Sequence, residues 1–113
     1  MKDVWITLTH IQACIDKILA YTAGVEGDWR DAPMVVDAVC RNLEIIGEAA
    51  NRLDRGFRAA HPAVPWRKII GARNILIHGY EMVERDILHD IVERDLVTLR
   101  AQIGVLLAQV ESE

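Results

Sequence analysis

The apolar residues of this chain recur in steps of three and four along almost its whole length, and that spacing restricts the fold more than any other feature. Val4, Leu8, Ile11, Ile15 and Ile18 make one stripe. Val36, Val39, Leu43, Ile46, Ala50 and Leu53 make a second, and Leu88, Val92, Leu96, Leu99, Ile103, Leu106 and Val110 make a third. Each is the pattern of an amphipathic helix that buries one face. No segment alternates with period two over the length of a strand, so the chain reads as all-α.

Punctuation divides the stripes. Gly24 and Gly27 end the first helix. In GDWRDAP, Asp31 is placed to cap the second helix, with Pro33 in its first turn, where the missing N–H costs nothing. Gly56 closes the second helix, and FRAAHPAVP reads as a turn because each of its two prolines disfavours helix at the preceding residue. A third helix starts near Pro65 or Trp66 and runs to Gly79, and a fourth follows EMVER. Short connections between such helices predict a single domain over 1–113, an antiparallel up-and-down bundle of four main helices. The first and last stripes are long enough to contribute to a homodimer interface as well.

No stretch reaches the uninterrupted apolar length of a bilayer span, and MKDVWITLTH lacks the basic and apolar regions of a leader, so a cytoplasmic protein with no membrane partner is expected. Cys14 and Cys40 lie in separate helical patterns and read as buried thiols. The formal net charge of −4 argues against indiscriminate nucleic-acid binding, which depends on cations facing phosphates. The charge is unevenly spread: basic residues outnumber acidic ones from Arg30 to Arg73, which allows a local basic surface, and acidic ones predominate over 81–95.

The stretch RNILIHGY, residues 73–80, carries the chemistry. Arg73 offers a planar charged fork suited to phosphate, His78 gives or takes a proton near neutral pH, and Tyr80 is a modifiable hydroxyl. Arginine plus histidine can cleave RNA without a metal: the imidazole deprotonates the 2′-hydroxyl or protonates the leaving oxygen, and the guanidinium stabilises the phosphorane-like transition state. On a regular helix Arg73 and His78 lie about 140° apart and roughly 7.5 Å along the axis, so they converge poorly within one chain. Asn74 and His78 share a face at i,i+4, which lets Asn74 orient the imidazole, and the helix C-terminus favours a cation at His78. A two-fold dimer would place two arginines and two histidines in one groove. From spacing alone, side chains that only cap helix carbonyls or pair with acids are the favoured reading of Arg73, His78 and Tyr80.

RNILIHGY resembles the RxxxxHxY signature of HEPN-domain toxins of the HepT-like group, with Arg73, His78 and Tyr80 in its three places. ILAYTAG, AVCRNLEIIGEAANRL, HPAVPWRKIIGARNILIHGY and IVERDLVTLRAQI are similar to that group's blocks and follow in the same order, covering nearly the whole chain, whereas GDWRDAP is less typical. The resemblance implies an all-helical homodimer with its groove at the interface and a metal-independent endoribonuclease without cofactor, with Arg73 and His78 catalytic on an RNA substrate. It also implies a partner, a minimal nucleotidyltransferase (MNT-type) antitoxin that neutralises the toxin by AMPylation of Tyr80. Arg41, Glu44 and Glu48 match polar positions of the RNLEIIGEA block and are expected to pair across the second and third helices, with a contribution to the groove as the alternative. Two rival readings stay open: a catalytically inactive HEPN-like binding partner of a nucleotidyltransferase, and a plain helical dimerisation module.

Other patterns carry less. His89–Asp90 is an HD dipeptide without the further ligands a phosphohydrolase metal site needs, and His10 and His61 have no metal-ligand spacing. Gly71 reads as room for close helix packing. Trp5, Trp29 and Trp66 read as core or interface residues.

Overall fold

A computed structural model describes the backbone over residues 2–79 and 85–112 and the side chains over 3–72 and 85–110. The described residues contain helices and turns and no strand. Helix α1 spans Lys2–Ala23 and α2 spans Pro33–Arg52, joined through a 3-10 turn at Trp29–Asp31. A short α3, Arg55–Ala60, leads to α4, Trp66–Gly79. The last stripe forms one continuous helical rod: α5, Arg85–Asp90, then a π turn at Ile91–Asp95, then α6, Leu96–Ser112.

The stripes are the core. Leu8, Ile11, Ile15 and Ile18 of α1 are buried, as are Val36, Val39, Leu43, Ile46 and Ala50 of α2 and Leu88, Val92, Leu96, Leu99, Ile103 and Leu106 of the rod. Each such Val, Leu or Ile side chain contributes about 1.5–3 kcal/mol by leaving water, so the three stripes dominate stability. Helix α2 lies between α1 and α4, and α6 packs on α1. Cys14 and Cys40 are free thiols inside this core.

The π turn follows from the stripe it carries. Leu88, Val92 and Leu96 are separated by two successive steps of four, which on a regular helix would drift about 80° around the axis. The wider turn, with Leu96 N–H donating to the Ile91 carbonyl five residues back, keeps all three on the buried side.

Four boundary expectations are corrected. Asp31 does not cap α2: it lies inside the 3-10 turn, and the cap position, immediately before Pro33, falls to Ala32, which has no side-chain acceptor. The capping carboxylate of this connection is Asp28, which accepts from the Arg30 backbone N–H at 2.9 Å. Gly56 does not close α2. The helix ends at Arg52 because Leu53 turns to extended backbone and buries its side chain, and Gly56 sits within α3. FRAAHPAVP is therefore partly helical. Phe57 of α3 packs its ring 4.6 Å from His61 and 6.4 Å from Trp66, and that tertiary support holds a helix too short to stand alone. Gly71 is not a close-packing position among the described residues either, since a Cβ there would meet none of them within 4 Å.

Candidate functional site

Helix α4 carries the candidate residues, and its start is firmly fixed. Trp66 is buried, its indole N–H donates to the His61 carbonyl at 3.0 Å, and Val64 just before it is buried too. Ile69 and Ile70 then lean on the core. Lys68 pairs with Asp95 of the π turn at 3.4 Å. A cavity of about 390 Å³ lies between α4, α2 and the rod, lined mainly by apolar side chains including Ile46, Ile69, Ala72, Ile91 and Leu99.

Arg73, Asn74 and His78 lie on the helical backbone of α4, one turn and more beyond Lys68. Their side chains, and Tyr80 altogether, fall outside the described residues, as does most of EMVER. The backbone retains the divergence expected from the spacing: α4 is helical from Arg73 to His78, so these positions stand about 140° apart within one chain.

Arg41 and Glu44 of the neighbouring α2 are described. They pair with each other at 3.3 Å, i to i+3 along α2, so the described interaction runs along that helix rather than across to α4. Arg41 is mostly exposed and Glu44 mostly covered. Glu48 is half-buried.

The structure also reveals a clasp that local spacing did not signal. Arg30, in the α1–α2 connection, holds Asp28 at 2.6 Å and reaches Asp86 at the start of α5 at 2.7 Å. Arg85 donates to the Arg30 carbonyl at 2.9 Å, and buried Trp29 stacks on His89 with ring centroids 6.0 Å apart. Hydrogen bonds from the Arg30 side chain and backbone hold the Asp28 carboxyl down at about 2, and the same partnership raises the Arg30 guanidinium. This clasp fixes the helix that resumes after 84, on the far side of the motif. His89 of the HD dipeptide is thereby engaged in stacking and lies 3.9 Å from Glu93. Among the described residues no three His, Cys, Asp or Glu side chains group as metal ligands, and no helix is long and apolar enough to cross a membrane.

Residues 11–106 match the family described as Ribonuclease HepT-like. A Methanocaldococcus jannaschii protein named "Putative RNase MJ1380" is 32% identical over 106 residues, 93% of this chain and 97% of that protein. "Putative RNase TTE0752" of Caldanaerobacter subterraneus subsp. tengcongensis is 34% identical over 95% of this chain and 96% of its own length. A second M. jannaschii protein, "Gamma-glutamylcyclotransferase and putative RNase MJ0434", is 34% identical over 97% of this chain but only 50% of its own length. No solved structure matches.

Proposed function

Because this chain belongs to the Ribonuclease HepT-like family, we propose that it is the toxin of a toxin–antitoxin pair, an endoribonuclease that needs no metal and works as a homodimer. The observation that carries this reading is the Arg73-x4-His78-x-Tyr80 pattern in the sequence, inside the matched segment, with Arg73 and His78 on the C-terminal half of α4. Arg73 and His78 are the catalytic pair, Tyr80 is the regulatory hydroxyl, and Asn74, Arg41 and Glu44 support the groove.

In the proposed reaction His78 takes the proton of a ribose 2′-hydroxyl. The 2′-oxygen attacks the adjacent phosphorus and the bond to the 5′-oxygen breaks, leaving a 2′,3′-cyclic phosphate. The leaving 5′-oxygen takes a proton from the imidazolium of the second copy or from water. Arg73 stabilises the extra negative charge on the phosphoryl oxygens as it develops. One copy cannot bring both groups to one phosphate when they diverge by about 140° on a helix, and a two-fold pairing of α4 removes that obstacle. Apolar side chains that remain exposed on α1 and the closing rod, Trp5, Ile6, Ile87, Val97 and Val105, support a partner surface there.

The protein partner in this reading is a minimal nucleotidyltransferase that moves AMP from ATP to the Tyr80 oxygen, releasing pyrophosphate. A bulky anion two residues from His78 blocks the groove and competes for Arg73. End-labelled RNA incubated with purified protein in excess EDTA tests the proposal. Wild type is expected to cut while Arg73→Ala and His78→Ala, still helical and dimeric, lose activity by roughly 10²–10⁴. Absence of cleavage by unmodified wild type across mixed-sequence RNA would refute it and favour a non-cutting partner of a nucleotidyltransferase.

A further inference from the structure

The charges of this molecule divide into those that tie elements together and those left without a partner. Arg30 pairs with Asp28 and Asp86, Arg41 with Glu44, Lys68 with Asp95 and Arg100 with Asp16. Among the described residues Arg52, Arg55, Arg58 and Arg67 have no ion-pair partner, and between Arg52 and Lys68 the sole acidic residue is Asp54. Arg52, Arg55 and Arg67 are exposed. Arg58 is half-buried, with its Nε shielded from solvent and without an acceptor.

These four arginines share one corner of the fold. Arg52 ends α2, Arg55 and Arg58 lie at i,i+3 on α3, and Arg67 is in the first turn of α4. The Phe57–His61–Trp66 ring contacts and the Trp66 indole bond to His61 hold α3 against the start of α4, so the arginines stay grouped. On a chain of net charge −4, four guanidiniums against the single carboxylate of Asp54 give this corner a local positive field suited to a polyanion. The register of α4 then gives this corner a direction. Arg67, Asn74 and His78 are related as i, i+7 and i+11, so their backbone positions fall within about 20° of one line, with Arg67 roughly 16.5 Å from His78.

We propose that Arg52, Arg55, Arg58 and Arg67 form a phosphate-tracking surface for single-stranded RNA, which leads the substrate along the Arg67–Asn74–His78 line of α4 into the groove. This rests on the ribonuclease reading for its substrate class and goes beyond it by assigning residues outside the RxxxxHxY pattern. The arginines bind phosphates and do not take part in bond breaking. Such a surface lacks base readout, so its binding is strongly salt-dependent and tolerant of sequence.

The test uses the full chain carrying His78→Ala, which does not consume its ligand, and a fluorescein-labelled single-stranded RNA of mixed sequence, followed by anisotropy across a salt series. Removing Arg55 and Arg67 together, as R55A/R67A, is expected to lower the slope of log K against log salt by about 1.4, at about 0.7 per phosphate contact on single strands. The affinity gap between parent and variant therefore narrows by about sevenfold between 50 and 200 mM salt. Lys17→Ala, which removes an exposed cation of α1, a helix that carries none of the four arginines, is the control and is expected to leave the slope unchanged. Circular dichroism confirms that each variant is folded.

An unchanged slope in R55A/R67A overturns the proposal, and so does loss of binding to a nucleotidyltransferase partner with RNA binding intact, which would make the corner a protein-docking face. Cleavage by wild type, measured in parallel, separates the two readings. If wild type does not cut yet the slope falls as expected, the surface stands and the ribonuclease reading fails; if wild type cuts and the slope is flat, the reverse holds.

Discussion

Deleting Glu93 from the π turn is expected to leave the fold almost as stable as before, whereas deleting Ala101, another exposed residue of the same rod, is expected to unfold it. The reasoning is geometric. Leu88 and Leu96 are both buried although eight residues apart, a separation that overshoots two α-turns by about 80° and is absorbed by the π turn at Ile91–Asp95. Without Glu93 they become seven apart, about 20° short of two turns, and a plain α-helix keeps Leu88, Val92, Leu96, Leu99, Ile103 and Leu106 on one side. The side-chain loss is the His89–Glu93 pair at 3.9 Å, exposed and worth about 0–1 kcal/mol. Deleting Ala101 has no slack to absorb: everything beyond it rotates by about 100°, turning Ile103 and Leu106 out of the core at about 1.5–3 kcal/mol each. Urea unfolding followed by far-ultraviolet circular dichroism, at one fixed protein concentration because any self-association makes stability depend on it, reads both. If the two deletions destabilise equally, the π turn is not what sets the register and the argument fails.

Trp66→Phe is expected to cost about 1–3 kcal/mol by stranding the His61 carbonyl, and Trp66→Ala about 3–5 kcal/mol, in the same urea assay; equal costs would mean the indole hydrogen bond does nothing. Asp28 has its carboxyl held below the usual range by Arg30, at about 2, so its contribution is present above the ordinary carboxylate range and lost as pH falls through about 2. The Tm of Asp28→Asn should therefore lie below that of wild type at pH 6 and converge on it near pH 2, and a gap constant with pH would refute the linkage. Burial pushes the Cys40 thiol up to about 11, and the Cys14 thiol is also raised, so at pH 8 native protein should react with a chromogenic disulfide orders of magnitude more slowly than urea-unfolded protein. A fast burst from folded protein would place a thiol at the surface.

What the sequence made legible was whatever depends on neighbours a few residues away. The stripes of α1, α2 and the closing rod are such features, and each is buried as its spacing predicts. Even the π turn had a local trace, the doubled step of four through Leu88, Val92 and Leu96. Helix α3 was missed because Pro62 and Pro65 read as breakers, while its support comes from Trp66 folding back on Phe57. The clasp was missed for a plainer reason: Arg30 and Asp86 are 56 residues apart, and nothing local announces their contact. For the candidate site the same division holds. Arg73, Asn74 and His78 belong to one helix and could be recognised together, but in the proposed site the convergence of Arg73 with His78 would come from a second copy, whose placement lies outside any one chain's spacing.

Charge shows the limit most sharply, because a sequence states where charges are and not which of them are spent on one another. Arg30, Lys68 and Arg100 look no different in the sequence from Arg55, Arg58 and Arg67, yet the first three each reach a carboxylate on a distant element and the others reach none among the described residues. The net charge of −4 argued against a nucleic-acid partner when averaged over the chain. Once the paired cations are set aside, the described basic residues left between Arg30 and Arg73 are Arg52, Arg55, Arg58 and Arg67, in the corner at the start of the helix that bears Asn74 and His78. An acidic protein with such a basic corner is expected to repel a polyanion over its acidic surface and to admit it at the corner. That makes the acidic total compatible with an RNA substrate and directs where on the molecule the substrate is expected to enter.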